Sequence, residues 1–544
     1  MGEDSVRPQA ALERQNRAVA AHIADTTPGC AEPPRGCLLS CRTFHIGKCP
    51  DHRPGIPRFE THVTLPDLST SPWGAWLSLG WSLYIAALSV WIVLQKRAPV
   101  STMSWILSLA LLPGIGFLIY YFLGPQRLRK QRIRRLRSGV VARAPTDLDR
   151  LRAAVETAPP ALRQLAALAT AACGNPVSSA TRVDLLVGGA STYEAIFEAV
   201  RAARDHIHLE YYIYQPDRIG TALRDLLIER AGDGVRVRLL VDAIGSKNLG
   251  GHFMAPMRAA GIEIAFFHDT RIGRRLRPVT NYRSHRKIVV CDGAVGFTGG
   301  VNITDEEDLR TRPDAYHDVH LRVDGAAVRW LQTTFIEDWV YATRQSPRVL
   351  EALLQRLMPA LPAGDIPVQF VTSGPDSPVE AIHRVQVEAI HSATQRAWLT
   401  TPYFVPSEAA LMALTSAALR GVDVRLIVPR RSDSAMVSAA ARSYFDELMQ
   451  AGVRIWEYRA RMLHSKTLLI DDHCAMVGTA NFDNRSFRLN YEVMSVVYGP
   501  HLATRLARQF ETDLNSASAV AARRRQSFGR RLADATARLL SPLL

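Results

Sequence analysis

The chain has 544 residues, 47% hydrophobic and 22% charged, and its 66 Lys and Arg against 51 Asp and Glu give a net charge of +15. This composition can bury a real core, which excludes wholesale disorder and a collagenous or low-complexity chain. The basic surplus calls for an anionic partner, either nucleic acid or an acidic membrane surface. Only six of the cations are lysines (Lys48, Lys96, Lys130, Lys247, Lys287 and Lys466), so a lysine that falls in a pattern carries unusual weight.

Residues 1–72 are rich in Pro, Arg and small polar residues and lack an apolar period, so they read as a disordered extension. Cys30, Cys37, Cys41 and Cys49 fall there, without the paired C-x2-C of usual zinc sites. Cys173, Cys291 and Cys474 are scattered, which suggests no disulfide framework and fits a reducing compartment.

Two uncharged runs follow, residues 73–94 and 98–126, separated by Lys96 and Arg97. About 20 apolar residues span a bilayer, so residues 73–126 are predicted to form a transmembrane hairpin. Trp73, Trp76, Trp81, Trp91 and Trp105 supply an aromatic belt, and Pro113-Gly114 predicts a kink. Arg127, Arg129, Lys130, Arg132, Arg134, Arg135 and Arg137 come next, with no acid among them. The positive-inside rule then places residues 1–72 and everything after the second helix in the cytoplasm.

Beyond a basic linker at 127–180, apolar strands alternate with amphipathic helices, the mark of an α/β fold. Residues 207–214 and 235–241 read as strands, with a helix at 221–231 between them. The order then repeats. Gly234-Val-Arg-Val-Arg-Leu-Leu-Val matches Gly421-Val-Asp-Val-Arg-Leu-Ile-Val, and Ala260-Gly-Ile-Glu-Ile matches Ala451-Gly-Val-Arg-Ile. Two long copies are a domain duplication and not a solenoid. The expected organisation is a first repeat at 181–345, a linker at 346–365, a second repeat at 366–515 and a basic tail at 516–544.

Each copy carries one chemical pattern. The first reads His285-Arg-Lys287, then Asp292, Gly299 and Asn302; the second reads His464-Ser-Lys466, then Asp471, Gly478 and Asn481. The spacing from His is the same in both, and the offset is 179 throughout. His and Lys two apart on a strand share a face, and Asp292-Gly293 signals a tight turn. Asn302 would then return to the His/Lys end of the hairpin. A zinc site built on the two histidines is disfavoured, because a lysine beside each repels a cation. The set suits a phosphodiester: Lys and Asn stabilise phosphoryl oxygens, one neutral His attacks phosphorus and the other protonates the departing alcohol. The candidate catalytic residues are His285, Lys287, Asp292, His464, Lys466 and Asp471, with the two aspartates expected to shape the turns.

These residues resemble the phospholipase D superfamily, whose twin HxKx4D motif with a downstream G-x-N the chain matches twice. Leu111-Leu-Pro-Gly-Ile-Gly, Ile207-His-Leu-Glu-Tyr-Tyr, Thr401-Pro-Tyr-Phe-Val-Pro406, Asn484-Arg-Ser-Phe and Ser541-Pro-Leu-Leu extend the likeness to the superfamily's bacterial cardiolipin synthases over residues 73–544. The resemblance implies two phospholipase D-like α/β repeats in one bilobal unit, with a single active site between the halves. It also implies a phosphohistidine intermediate without metal or other cofactor, and His285 as nucleophile with His464 as general acid. The implied reaction transfers a phosphatidyl group between two phosphatidylglycerol molecules, releasing glycerol, in the bacterial inner membrane. Asp318 and Glu492 match the acid that orients the imidazole, with Asn302 and Asn481 in support. Tyr316-His317-Asp318 departs from the expected Trp-Arg-Asp. A lipid hydrolase, a superfamily nuclease and a membrane scaffold with a decayed site are the competing readings. The placement of charge favours anionic lipid over nucleic acid: Arg523, Arg524, Arg525, Arg530 and Arg531 lie in a tail with Phe528, Leu532, Leu539 and Leu540, a candidate interfacial helix. Arg271, Arg274, Arg275 and Arg277 form a third basic group.

Overall fold

The computed structural model describes residues 72–94, 99–112, 115, 159–268, 281–377, 379–521, 526–539 and 541. The N-terminal extension with its four cysteines, Pro113-Gly114, the basic run after residue 126, the arginines at 271–277 and Arg523, Arg524 and Arg525 lie outside the described residues. Contacts divide the chain into two units, residues 1–80 and 81–544, and the two large sheets and the small β-sheet of two strands all belong to the second.

The two uncharged runs form helices at Pro72–Val93 and Pro99–Leu111. Side chains of the first are described at Trp76 and from residue 78 onward. Among the described residues no helix is long and apolar enough to cross a membrane. Ile92 and Leu109 are buried together, with Leu88 and Trp105 packed against them, while Leu83, Val90, Met103, Leu107 and Leu111 stay exposed.

The first half supplies strands β1 (Ser178–Ala180), β2 (Arg182–Val187), β3 (His206–Tyr211), β4 (Arg236–Asp242), β5 (Glu263–Phe267), β6 (Arg283–Ser284), β7 (Ile288–Cys291), β8 (Val295–Gly299) and β9 (Val319–Asp324). The second supplies β10 (Ile366–Ser373), β11 (Arg396–Thr400), β12 (Phe404–Val405), β13 (Asp423–Pro429), β14 (Arg454–Tyr458), β15 (Thr467–Ile470), β16 (Cys474–Gly478), β17 (Phe482–Asp483), β18 (Asn490–Tyr498) and β19 (Ala517–Ala519). One sheet runs β2-β9-β8-β7-β3-β4-β5; the other contains β10-β18-β16-β15-β11-β13-β14. Strand for strand the orders are the same. β3, β4 and β5 pair in parallel, as do β11, β13 and β14, and the remaining pairs of both series are antiparallel. The duplication read in the sequence is a duplication of topology.

The repeated glycines have a local cause. The helix Arg218–Gly232 must end and reverse into β4, and Gly234 does so at φ 88°; Gly421 makes the same turn into β13 at φ 89°. That left-handed region suits glycine. The alternation of Val, Leu and Ile after each glycine buries the strands. One buried cluster draws on both sheets: Ile288, Val290, Leu321 and Val323 from the first half pack with Phe370, Leu469, Val477 and Val493 from the second. Each such side chain contributes roughly 1.5–3 kcal/mol when fully buried, so the halves share a core and hold each other in register.

Candidate active site

Where the halves meet, short segments pair across the divide. β6 runs parallel to the start of β18, with Arg283 opposite Asn490 and Ser284 opposite Tyr491, and the His285 amide donates to Tyr491 O at 2.9 Å. The mirrored contact has the His464 amide donating to His317 O at 2.8 Å and the His317 amide donating to Met462 O at 2.8 Å. These ladders set each histidine beside an acid from the opposite half.

His285 Nδ1 lies 3.0 Å from the Glu492 carboxylate, and His464 Nδ1 lies 2.5 Å from Asp318 Oδ2. Both acids are fully buried, whereas the imidazoles keep 11% and 10% of their side-chain surface open, so substrate reaches the rings and not the acids. Burial alone would raise both carboxyls. Lys466 and His464 outweigh it at Asp318, and His285 outweighs it at Glu492, so both are held below the usual carboxylate range. As carboxylates they accept from Nδ1–H, which leaves each Nε2 with a free lone pair. Burial pushes both imidazoles toward the neutral form against those same acids, with His464 down to about 4.

Lys287 and Lys466 are buried. The Lys287 ammonium donates to His285 O at 2.9 Å and sits 5.4 Å from the Tyr212 ring centre. Burial, with Lys466 nearby, brings Lys287 down to about 7. Lys466 donates to His464 O and to Asp318 Oδ2, the latter at 3.4 Å; burial lowers it too, against the pull of Asp318. Two desolvated ammoniums side by side repel, and a phosphodiester anion between them relieves the repulsion.

Asn302 and Asn481 are buried after β8 and β16, as the hairpin reading expects. Both Nδ2–H and the backbone amide of Asn302 donate to Glu307 Oε1 at 3.2 Å, while the Asn481 amide donates to Ser486 Oγ at 3.2 Å. Asp292 and Asp471 stand at the opposite end of the hairpin from the His/Lys pairs. Asp292 accepts the amides of Arg204, Asp205 and His206, and Asp471 those of Thr394, Gln395 and Arg396; both sit at positive φ, 54° and 48°. These bonds fasten the two hairpins to β3 and β11 at the turns the aspartates were expected to shape.

Sequence reasoning missed several residues. Glu307 is fully buried, and burial plus the Asp318 charge pushes its carboxyl up to about 8. It stands where the second half has Ser486, so the matched motif gave no signal. Thr479 Oγ1 donates to Glu492, whereas the matching Gly300 leaves room for Asp318, since a Cβ there would lie 2.0 Å from Asp318 Oδ1. Tyr212 meets the His285 ring edge-on at 5.0 Å, and Tyr316 flanks His464 at 5.6 Å. His317, in the place of the expected arginine, stacks on Tyr458 and contacts Asp513 Oδ1 at 2.7 Å, with Arg461 donating to its other nitrogen at 3.2 Å. Glu307, Asp318 and His464 each offer one ligand atom within 4.8 Å of the others, but a cation there would face the Lys466 ammonium 3.4 Å from Asp318.

Two copies of one sheet meeting at paired H-x-K sets is the phospholipase D architecture, and that is the class this fold and site define. A family model described as "Cardiolipin synthase, PLD-like domain" matches residues 196–339 and 387–514, and one described as "Phospholipase_D-nuclease N-terminal" matches residues 82–125. The chain is 38% identical over 477 residues to cardiolipin synthase 1 of Bacillus anthracis, covering 85% of this chain and 93% of that one. It is 40% identical over 458 residues to the cardiolipin synthase of Geobacillus kaustophilus, covering 83% and 91%. The crystal structure of phosphatidylserine synthase from Haemophilus influenzae superposes with a TM-score of 0.55 at 14% identity, over 70% of this chain and 100% of that one, a likeness of fold. The chain belongs to the cardiolipin synthase family, phosphatidyltransferases of the phospholipase D type.

Proposed function

We propose that the enzyme joins two phosphatidylglycerol molecules into cardiolipin and releases glycerol, through a phosphatidyl group carried on a histidine. The crosswise His–carboxylate pairing carries this reading: a buried acid from the opposite half orients each imidazole through Nδ1, and the two buried lysines lie close enough to act on both rings. The first imidazole attacks phosphorus through its Nε2 lone pair, and the P–O bond to glycerol breaks as the second, which enters the cycle protonated at Nε2 beside the bound phosphodiester anion, donates that proton to the leaving oxygen. The second then removes the proton from the hydroxyl of the incoming lipid, whose oxygen displaces the histidine. Following the family order, His285 is the nucleophile and His464 the acid and base. Lys287, Lys466, Asn302 and Asn481 stabilise the charge on the phosphoryl oxygens.

The membrane placement belongs to the same proposal. The uncharged helices with exposed Leu83, Val90, Leu107 and Leu111, and the basic run after residue 126, support a transmembrane hairpin in the bacterial inner membrane with the catalytic unit on the cytoplasmic side. The test is to incubate membranes containing the protein with labelled phosphatidylglycerol. Cardiolipin and glycerol in equal amounts are expected. Phosphatidic acid as the main product would make the protein a hydrolase and sink the transferase reading.

A further inference from the structure

The C-terminal helix Phe528–Leu539 is amphipathic in an unusual direction. Its inner face is fully engaged. Asp534 and Ala537 are buried; Asp534 takes Arg442 at 2.8 Å, and Arg538 reaches Glu447 and covers the Tyr444 ring. At about 100° per residue, Phe528, Leu532 and Leu539 fall on one narrow stripe on the opposite side. They are 79%, 56% and 80% exposed, and Met436, on the neighbouring helix Ala435–Ser443, is 48% exposed. Three large apolar side chains on a helix whose other face is already satisfied meet no burying partner among the described residues. Arg531 is exposed about 80° round the helix from the stripe, Arg530 is exposed in the first turn on the far side, the helix's only acid is the buried Asp534, and Arg523, Arg524 and Arg525 precede it in the sequence. An apolar stripe beside an exposed arginine, on a basic helix that exposes no acid, complements a surface that is oily beneath and anionic above.

We propose that this helix is a docking element that lies on an anionic phospholipid surface, its stripe among the acyl chains and its arginines among the phosphates. The proposal rests on the lipid-transfer reading of the active site and adds where the catalytic unit touches its substrate phase. The helix is tied to the chemistry. Ser541, just past its end, is buried; its carbonyl accepts from Asn484 Nδ2 at 3.2 Å, and its hydroxyl pairs with Tyr444 OH at 3.0 Å. Asn484 follows Asp483, whose carboxylate caps the turn that presents Ser486 to Asn481. Docking therefore steadies the loop that carries the second motif's asparagine.

The full chain, in nanodiscs containing tritiated phosphatidylglycerol, provides the test. A benzoylphenylalanine placed at Leu532 should label lipid on irradiation at least fivefold more than one placed at Glu229, which is exposed on the helix Arg218–Gly232. Labelling should fall when phosphatidylcholine replaces the anionic lipid around tracer phosphatidylglycerol. In detergent mixed micelles, F528S/L532S should raise the surface concentration of phosphatidylglycerol needed for half-maximal rate at least fivefold, with kcat within twofold of wild type. R530E/R531E should do the same and lose its dependence on salt. Equal labelling at the two positions, crosslinking of Leu532 to a second protein copy in place of lipid, or unchanged surface kinetics in both double variants would overturn the docking role. If wild-type enzyme formed no cardiolipin, the transfer reading would fail, while the labelling ratio would still decide the docking.

Discussion

At the scale of single residues, neutrality and charge are divided between groups a few ångströms apart. Asp318 is ionised and Glu307 protonated, though both are fully buried beside Lys466, because one carboxylate is what that ammonium and His464 can satisfy. Glu307 is faced by Asp318, His464, Lys466, Lys287, Tyr193 and Tyr316, and it orients Asn302. Its folded pKa of about 8 is raised, so the stability it contributes is present at acid pH and is lost as pH rises toward that value. With substrate bound, the phosphodiester keeps both lysines protonated, and ionisation of Glu307 sets the alkaline limb of kcat. The expected result is a wild-type kcat whose alkaline limb lies above the value of about 8 in the free protein, since the bound anion raises the Glu307 carboxyl further, a limb that flattens in Glu307→Gln, and a loss at every pH in Glu307→Ala. A limb unmoved by the glutamine variant, in rate–pH profiles, would refute this role. Removing either imidazole, as His285→Ala or His464→Ala, should cost about 1,000-fold or more in cardiolipin formation, since a relay cannot run on one histidine.

At the scale of elements, the hairpins β7–β8 and β15–β16 show what the motif aspartates do. Asp471 gathers three successive amides, and these bonds overcome burial to lower its pKa. A lowered carboxyl stabilises the fold above its unfolded pKa near 4, and that stability is lost as pH falls through the folded value. Asp471→Asn should therefore cost about 1–3 kcal/mol of stability at neutral pH, read as a lower melting temperature, while kcat per folded molecule stays within twofold. A variant of normal stability but abolished kcat would return Asp471 to the chemistry. The hairpin itself was legible in the sequence, because a buried β-branched run, an Asp at the turn and a returning glycine each have a local cause. The elements that touch across the halves were not. Nothing in the spacing of His285 and Asp318 tells that each belongs to the other's counterpart, since strand pairing over some 200 residues leaves no periodic trace. Glu307 and Thr479 escaped for a related reason: each stands where the two copies differ, and a search for matched residues passes over mismatches. His317 was visible as a departure but not its consequence, the Arg461–His317–Asp513 chain that fills the expected arginine's place.

At the scale of the whole catalytic unit, the shared core and the exchanged acids make the halves interdependent. Glu492→Gln should behave as a lesion of His285 and Asp318→Asn as a lesion of His464. Combining Glu492→Gln with His285→Ala should then cost no more than His285→Ala alone, whereas Asp318→Asn with Glu492→Gln should cost close to the product of the two. Initial rates of cardiolipin formation across the two double-mutant cycles decide this, and independence of Glu492 and His285 would contradict the pairing seen in the fold.

The exchange of acids also has a consequence in time. As the chain leaves the ribosome, His285 and Asp318 emerge in the same half, yet Asp318 waits 146 residues for His464 and His285 waits 207 for Glu492. The nascent first repeat holds an imidazole without an orienting carboxylate and a carboxylate without an imidazole. A polypeptide that stops short of Glu492 leaves His285 without its orienting acid, so synthesis has to pass that residue before both oriented imidazoles stand ready.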